Sequence, residues 1–290
     1  MMKKTGILTD SHSGITQEEA KKLGIYVLPM PFYINDQCHY EGKDISREEF
    51  IEYLKNDENV STSQPSPEAV MNLWDEILKE YEELVYIPIS SGLSGSCSTA
   101  TAMAQDDDYE GKIFVVDNGR VSTPMKQSVL DAIELLNEGC SAKEIKNRLE
   151  DAKGKMGIFV AVDDLKYLKK GGRISSSVAL VGGMLKVKPI LKFDIGTLDS
   201  FKNCRGLIKA KTVMIEEVKR IVTTDYAEDF EKGNVHILAA SSADEEETKK
   251  WVNEIQEAFP GIKVLWDYLP MGITCHIGPG GLGIGYSVRP

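Results

Sequence analysis

Three short segments rich in hydroxyl groups and glycines are the most chemically distinctive feature of this sequence. They are residues 61–66 (STSQPS), 90–96 (SSGLSGS) and 276–283 (HIGPGGLG). The middle segment follows the apolar run 84–89 (LVYIPI) and precedes a helix-like stretch. A strand that turns through glycine and serine into a helix presents backbone N–H groups and hydroxyls to one point. This pattern predicts a site for a small anion such as a carboxylate or a phosphate.

Established enzyme motifs are absent from the sequence or incomplete. Residues 92–96 (GLSGS) differ from the G-x-S-x-G nucleophile elbow at Ser96, where the motif has glycine. The sequence contains no Walker A phosphate loop. Residues 278–283 match G-x-G-x-x-G, but only seven residues follow, too few for the βαβ unit that gives the motif its meaning. Metal-ligand spacing is lacking among the histidines, which are His12, His39, His236 and His276. We therefore expect neither a metal nor a cofactor.

Each candidate residue also has an ordinary structural interpretation. Ser94 or Ser96 suits a simple helix N-cap, and residues 62–63 suit a turn. His276 is compatible with a hydrogen-bonded core histidine, and Arg173 with a solvated residue after a helix end. A cap needs one hydroxyl, however, whereas the middle segment has four. The joint occurrence of these residues favours a ligand site.

Charge and cysteine content limit the classes of partner and compartment. The net charge of −11 disfavours nucleic acid and anionic membranes as partners, because both require a basic surface. The five cysteines are scattered and form no C-x-x-C pair, which indicates reduced thiols. The N-terminus has no signal-peptide pattern, and no apolar run approaches the ~18 residues that span a bilayer. We expect a cytoplasmic protein without stable membrane insertion.

Strands and helices alternate through the first half of the chain. Strands are predicted over residues 5–9, 25–34, 84–89 and 112–117. Capping patterns beginning at Thr16, Ser46 and Ser66 start three helices, and two more are predicted over 121–137 and 142–152. This alternation predicts an α/β fold with a mostly parallel sheet covered by helices on both faces.

The second half is less regular and predicts a smaller α+β domain. Its elements are a strand over 158–162, a short helix over 163–170 ended by Gly171-Gly172, a hairpin of 187–193 and 197–202 around Asp194, a helix over 208–222, a strand over 235–241, a helix over 244–258 and a strand over 263–268. We expect two closely packed domains, residues 1–155 and 156–290. The last strand is a candidate for return to the first domain.

Five sequence blocks, in order along the whole chain, carry a family resemblance. They are residues 9–11 (TDS), 62–66 (TSQPS), 89–96 (ISSGLSGS), 168–174 (LKKGGRI) and 276–280 (HIGPG). In these blocks the chain resembles the DegV family of bacterial fatty-acid-binding proteins. The resemblance implies two α/β domains with one long-chain fatty acid between them. It also implies a non-catalytic subunit of fatty acid kinase, which presents the acyl carboxylate to a separate ATP-dependent subunit that makes acyl phosphate for phospholipid synthesis.

The resemblance also implies roles for individual residues. The residues implied at the fatty-acid carboxylate are Thr62, Ser63, Ser94, Gly95, His276 and Gly278. Two arginines, Arg173 and Arg205, are implied in docking of the kinase subunit or in the network behind the head group. The flanking residues of Arg205 carry less of the family pattern than those of Arg173.

Two other classes of function remain open from the residues. One is an enzyme, either a small-molecule kinase or a hydrolase that uses Ser94 and His276. A hydrolase also needs an oxyanion hole and an orienting carboxylate, for which Asp10 is the candidate. The other class is a lipid chaperone or sensor without a kinase partner. Turnover of nitrophenyl esters or ATP by the isolated protein distinguishes the enzymes from a carrier.

Overall fold

The computed structural model of the protein describes residues 3–174, 187–193, 195–196 and 198–290. The chain divides into two units. The first contains the described residues of Met1–Ser46 and Asn59–Gly154, together with Pro290, and the second contains those of Arg47–Glu58 and Lys155–Arg289. Asp194 and Thr197 of the predicted hairpin lie outside the described residues.

The first unit is built on a parallel sheet of four strands in the order β2-β1-β6-β7. In chain order the strands before Gly154 are β1 (Lys3–Asp10), β2 (Tyr26–Leu28), β3 (Pro31–Ile34), β4 (Gln37–Tyr40), β5 (Val60–Thr62), β6 (Tyr81–Ile87) and β7 (Ile113–Val115). The helices in the same range are α1 (Gln17–Leu23), α2 (Arg47–Lys55), α3 (Pro67–Leu78), α4 (Ser96–Met103), α5 (Ser122–Asn137) and α6 (Ala142–Asp151). The predicted alternation of strands and helices is confirmed.

Helices cover both faces of the parallel sheet because its strands are apolar on both sides. Ile7 and Leu8, neighbours in β1, are both buried and point to opposite faces. Ile7 belongs to a core shared with α1, α5 and α6, whereas Leu8 belongs to a core shared with α3 and α4. The helix starts follow the capping patterns, since the side chains of Thr16 and Ser66 accept the expected backbone N–H bonds at the starts of α1 and α3.

A three-stranded antiparallel sheet, ordered β4-β3-β5, was not predicted from the sequence. The run 25–34 was expected to be one extended strand. The structure divides it, so that β2 joins the parallel sheet and β3 joins the antiparallel one. Asn35 and Asp36 have left-handed φ angles of 48° and 67°, which form the tight hairpin between β3 and β4. Thr62, expected in a loop, is the last residue of β5 and pairs with Phe32.

The second unit contains a mixed sheet of six strands in the order β10-β9-β8-β13-β11-β12. Its strands are β8 (Met156–Ala161), β9 (Val187–Phe193), β10 (Asp199–Arg205), β11 (Val235–Ser241), β12 (Leu265–Tyr268) and β13 (Leu282–Val288). Its further helices are α7 (Lys166–Gly171), α8 (Leu207–Thr224), α9 (Ala227–Glu231), α10 (Glu245–Ala258) and α11 (Met271–Ile277). Helices α8 and α10 pack on the sheet, and Trp251 of α10 donates to the carbonyl of Gly283 at 2.9 Å. None of the described helices is long and apolar enough to cross a membrane.

One helix lies in a different unit from the one that its sequence position indicated. Helix α2 belongs to the second unit, where Arg47 donates to the Ala243 carbonyl at 2.6 Å and its guanidinium lies 4.0 Å from the centre of the Tyr268 ring. Strand β13 does not return to the first unit, because it pairs along its length with β8 and β11. The addition of α2 enlarges the second unit, whose mixed sheet and packed helices form the expected α+β arrangement.

Candidate functional site

Residues 90–96, here called the serine loop, connect the end of β6 to the start of α4 in the first unit. The Ser90 N–H donates to the carbonyl of Arg120 at 2.9 Å. The Ser90 carbonyl in turn accepts bonds from the N–H groups of Leu93 and Ser94, at 3.0 and 3.2 Å. The buried Ser90 hydroxyl accepts a further bond from the Gly92 N–H at 3.2 Å. These bonds fold the loop into a tight turn with a defined backbone.

Ser94 and Gly95 lie at the entrance to α4. The N-cap residue is Gly95, which has no side chain to cap the helix, and neither of the serines considered for this role occupies the position. The Ser94 hydroxyl accepts hydrogen bonds from the Ser96 N–H at 3.3 Å and from the Ser96 hydroxyl at 3.1 Å. Ser94 is half-buried, whereas Gly95 is exposed. The first turn of α4 therefore lacks a side chain at its N-cap position, and its Ser96 holds the Ser94 hydroxyl in place.

An ionic network holds one side of the serine loop. The Ser91 hydroxyl donates to the Asp117 carboxylate at 2.7 Å, and Lys153 donates to the same carboxylate at 2.7 Å. Partial burial raises the pKa of Asp117, but the hydrogen bonds from Lys153 and Ser91 outweigh it, so this pKa lies below its usual value. Asp117 is consequently ionised near neutral pH and keeps Ser91 in one orientation.

Gln64 brings the segment of Thr62 and Ser63 next to the serine loop. Its side-chain oxygen accepts a bond from the Thr99 hydroxyl of α4 at 3.3 Å. The same oxygen would lie 3.1 Å from a Cβ atom placed on Gly95, so the two segments pack closely there. Thr62 is half-buried and Ser63 is exposed. The first unit therefore gathers four of the predicted carboxylate-site residues around two adjoining loops.

Asp10 ties the ends of β1 and β6 together just before the serine loop. It is fully buried, and its two carboxylate oxygens accept the N–H groups of His12 at 2.9 Å and Ile89 at 2.8 Å. Asp10, the candidate orienting acid of a hydrolase, is thus hydrogen-bonded to the backbone of Ile89, which follows β6. The hydrogen bonds described for the Ser94 hydroxyl involve Ser96 alone. Asp10 is positioned as a structural clamp for these loops.

His276 lies on a helix rather than in the glycine-rich loop expected from the sequence. It occupies the last turn of α11, which ends at Gly278 with a φ of +79°. Ser242 organises the following turn, since its hydroxyl donates to the Gly278 carbonyl at 2.6 Å and accepts the Gly281 N–H at 2.9 Å. Sequence reasoning missed Ser242. Its signal was weak: a serine directly after the apolar strand β11, like Ser11 after β1.

The 168–174 block and the 276–280 block meet in the second unit. A Cβ atom placed on Gly171 would lie only 2.7 Å from Cε1 of His276. Likewise, a Cβ atom on Gly278 would lie 2.5 Å from Cε2 of Tyr167. Tyr167 also donates from its hydroxyl to the Leu54 carbonyl of α2 at 3.1 Å. The two sequence blocks therefore form one packed assembly.

The two arginines differ in their surroundings. Arg173 follows the C-cap residue Gly172 of α7, and its guanidinium donates to the carbonyl of Gly171 at 2.5 Å. It is half-buried, so it differs from a fully solvated residue after a helix end. Arg205 is the last residue of β10 and is exposed. An arginine that hydrogen-bonds the last carbonyls of a helix stabilises the helix C-terminus.

A cavity of about 920 Å³ opens in the second unit beside Pro279 and Gly280. Its wall includes nine charged side chains: Arg47, Glu48, Glu49, Glu52, Lys55, Asp163, Lys188, Asp244 and Glu247. An acyl chain requires an apolar lining, because charged side chains lose their hydration when hydrocarbon covers them. This cavity is therefore not a suitable sleeve for a fatty-acid tail. Within the described part of the chain, no group of three His, Cys, Asp or Glu residues is arranged to hold a metal ion.

Comparison with known proteins identifies the family. A protein-family model, described as "Uncharacterised protein, DegV family", matches residues 4–289 of this chain. A DegV domain-containing protein of Staphylococcus aureus is 31% identical over 283 residues, which are 98% of each chain. Protein DegV of Bacillus subtilis is 31% identical over 282 residues, covering 96% of this chain and 97% of that one.

Solved structures show the same fold. The fatty-acid-binding DegV family protein of Thermus thermophilus has a TM-score of 0.84 and 27% identity, covering 98% of this chain and 99% of that one. The structure of DegV from Bacillus subtilis, a fatty acid binding protein, has a TM-score of 0.83 and 28% identity, covering 99% and 100%. Because the family model spans nearly the whole chain and the relatives match over almost their full length, this chain belongs to the DegV family.

Proposed function

We propose that this protein binds one long-chain fatty acid and presents its carboxylate to a separate ATP-dependent kinase subunit, which forms acyl phosphate. The proposal is carried by the similarity, over the whole chain, to the fatty-acid-binding proteins of Thermus thermophilus and Bacillus subtilis. In this proposal the protein is a lipid carrier and has no catalytic role. The identity of the ligand and the kinase partner both follow from the family resemblance, and the site geometry supports the ligand.

The hydrogen bonds of Ser94 support its assignment to the carboxylate. A hydroxyl has one O–H to donate and two lone pairs that accept. Ser96 donates two bonds to the Ser94 oxygen, one from its N–H and one from its hydroxyl. Among the described residues the Ser94 O–H has no acceptor and can donate to a ligand, and a carboxylate is an acceptor-only partner. The N-terminus of α4, whose N-cap residue Gly95 has no side chain, adds favourable backbone dipoles for an anion.

Thr62, Ser63 and Gly95 complete the proposed head-group site in the first unit. Thr62 is held by its pairing with Phe32 in the antiparallel sheet, and Gln64 fixes its segment beside α4. The absence of a side chain on Gly95 allows the head group to approach the backbone closely. We include His276 and Gly278 of the second unit as proposed site residues, and His276→Ala tests the first of them.

The two ends of a fatty acid contribute differently to its affinity. Burial of ~14 methylenes at ~0.8 kcal/mol each offers ~11 kcal/mol before the cost of association. A hydroxyl bond to the carboxylate adds only ~1.5–3 kcal/mol, because an ion is involved. The tail therefore provides most of the affinity, while the loops determine which end reaches the kinase. We assign docking of that kinase to Arg173 and Arg205, since the always-charged guanidinium suits an acidic surface or a phosphate.

Mass spectrometry tests the proposal directly. Protein purified without added lipid is measured under native conditions and again after denaturing extraction. We expect a mass increment of one long-chain fatty acid in the first measurement and release of that acid in the second. Repeated recovery of lipid-free protein that does not bind added fatty acid at micromolar concentration contradicts the proposal. Hydrolysis of nitrophenyl esters or ATP by the isolated protein supports an enzyme instead.

A further inference from the structure

The two glycines that end α7 have different physical reasons for being glycine. Gly172 is the C-cap residue and has a φ of +68°, a conformation that favours glycine. Gly171 lies outside the left-handed region, so its backbone conformation accepts any residue. Its constraint is steric, because a Cβ atom there would lie 2.7 Å from Cε1 and 3.2 Å from Cγ of His276. Real Cβ atoms essentially never approach another heavy atom closer than 3.0 Å.

The contact is one half of a reciprocal arrangement between α7 and α11. Tyr167 and Gly171 are four residues apart and therefore share one face of α7. The Tyr167 ring packs on the backbone of Gly278, which ends α11, and the His276 ring of α11 packs on the backbone of Gly171. Each helix supplies one ring and one glycine. The close approach of Gly171 restricts the positions that the imidazole can take on that side.

We propose that Gly171 is a positioning residue for His276. Because Gly171 has no side chain, the His276 ring occupies the space that the Cβ atom of any larger residue would take. The inference rests on the proposed function, in which His276 is one of the carboxylate-site residues. The two ring nitrogens of an imidazole are distinct, so a small displacement changes which nitrogen meets a ligand. Gly171 thereby links the 168–174 block to the ligand site through packing, independently of any charge on Arg173.

A double-mutant cycle tests the packing of the His276 ring on Gly171 without using lipid. We expect Gly171→Ala to lower the Tm in the natural background and to have little effect in a His276→Ala background, since removal of the ring leaves room for the methyl group. Gly154→Ala is the matched control, because Gly154 has open space around its Cα and a permitted φ. Additive effects of the two substitutions overturn the proposal.

Two further measurements separate this proposal from the proposed function. The NMR chemical shifts of the His276 imidazole, assigned with His276→Ala, should move in Gly171→Ala and remain in place in Gly154→Ala. Oleate affinity should fall in Gly171→Ala as far as in His276→Ala, and no further in the double variant. If the natural protein binds no fatty acid, the proposed function fails, but the Tm cycle and the NMR shifts still test whether Gly171 positions the His276 ring. Unchanged imidazole shifts in Gly171→Ala show that Gly171 does not position the His276 ring, even if lipid binds.

Discussion

The Ser91 hydroxyl donates a hydrogen bond of 2.7 Å to the Asp117 carboxylate, and this bond ties the serine loop to the segment after β7. Lys153 donates to the same carboxylate, so one side chain joins a loop hydroxyl to a cation. We therefore expect the orientation of the Ser91 side chain, three residues before Ser94, to depend on the ionisation of Asp117.

We expect Asp117→Asn to change the acid dependence of stability. The pKa of Asp117 is lowered in the folded protein, so the carboxylate stabilises the fold above its unfolded pKa of ~3.9. This contribution is lost as the pH falls through the lower folded pKa. The Tm of Asp117→Asn should therefore be below that of the natural protein near pH 6, and the gap should close below about pH 4. Asp107→Asn, at an exposed position, is the control. Parallel Tm curves across the acid range contradict the assigned role of Asp117.

Ser94→Ala should weaken fatty-acid binding with little effect on stability. The substitution removes an O–H for which the described residues show no acceptor, at ~1.5–3 kcal/mol, or about 10- to 150-fold in Kd. Oleate affinity is measured by titration of delipidated protein, with Tm as the check on folding. Ser98→Ala, an exposed position on the same helix, is the matched control. Equal oleate affinities for the two variants remove Ser94 from the site.

Thr62→Val tests the second hydroxyl while preserving the strand. Valine keeps the β-branched shape that suits the edge of a sheet, so the pairing of β5 with β3 should persist. We expect a loss of oleate affinity of about 10- to 150-fold, as for Ser94. Ser61→Ala is the control, because neighbouring strand residues point to opposite faces. Retention of full affinity in Thr62→Val would falsify the assignment of this hydroxyl.

The local elements were predictable because they depend on neighbouring residues. Thr16, Ser66 and Gly172 mark helix ends through their own side chain or backbone, and the apolar runs of β6 and β11 are buried as read. The arrangement of these elements in the fold depends on contacts between residues that are distant in sequence. The assignment of α2 to the second unit depends on partners distant in sequence, such as Ala243.

The same distinction applies to the candidate site. The serine loop is visible in one stretch of sequence, whereas the residues that hold it come from elsewhere in the chain. Asp117 contacts Ser91 across 26 positions, and Ser242 contacts Gly278 across 36. No periodicity or spacing rule relates such pairs. The sequence therefore identifies candidate ligand groups within single segments, whereas the residues that hold these segments in place are found only in the structure.

Arg173→Ala should leave lipid content near normal and reduce acyl-phosphate formation with the kinase subunit. If docking is driven by charge, added salt should lower turnover with the natural protein in the same way as the substitution does. Salt has this effect because charge contacts at the rim of an interface are screened over ~8–10 Å. The measurement is kinase-coupled turnover as a function of carrier concentration. Arg205→Ala should behave in the same way, and Arg220→Ala, at an exposed arginine of α8, is the control. Saturation of the kinase by Arg173→Ala at the natural concentration and rate excludes docking through this residue.

Ser242→Ala should destabilise the second unit and disturb the turn after His276. The Ser242 hydroxyl is buried and serves both the Gly278 carbonyl and the Gly281 N–H, at 2.6 and 2.9 Å. Alanine leaves both backbone groups without this partner in a buried site, which costs ~1–3 kcal/mol. We expect a lower Tm, faster amide exchange at Gly281 and only a secondary loss of oleate affinity. Ser287→Ala is a useful control, since its buried hydroxyl makes no hydrogen bond among the described residues. If Ser242→Ala lowers the Tm no more than Ser287→Ala does, the hydroxyl does not organise this turn.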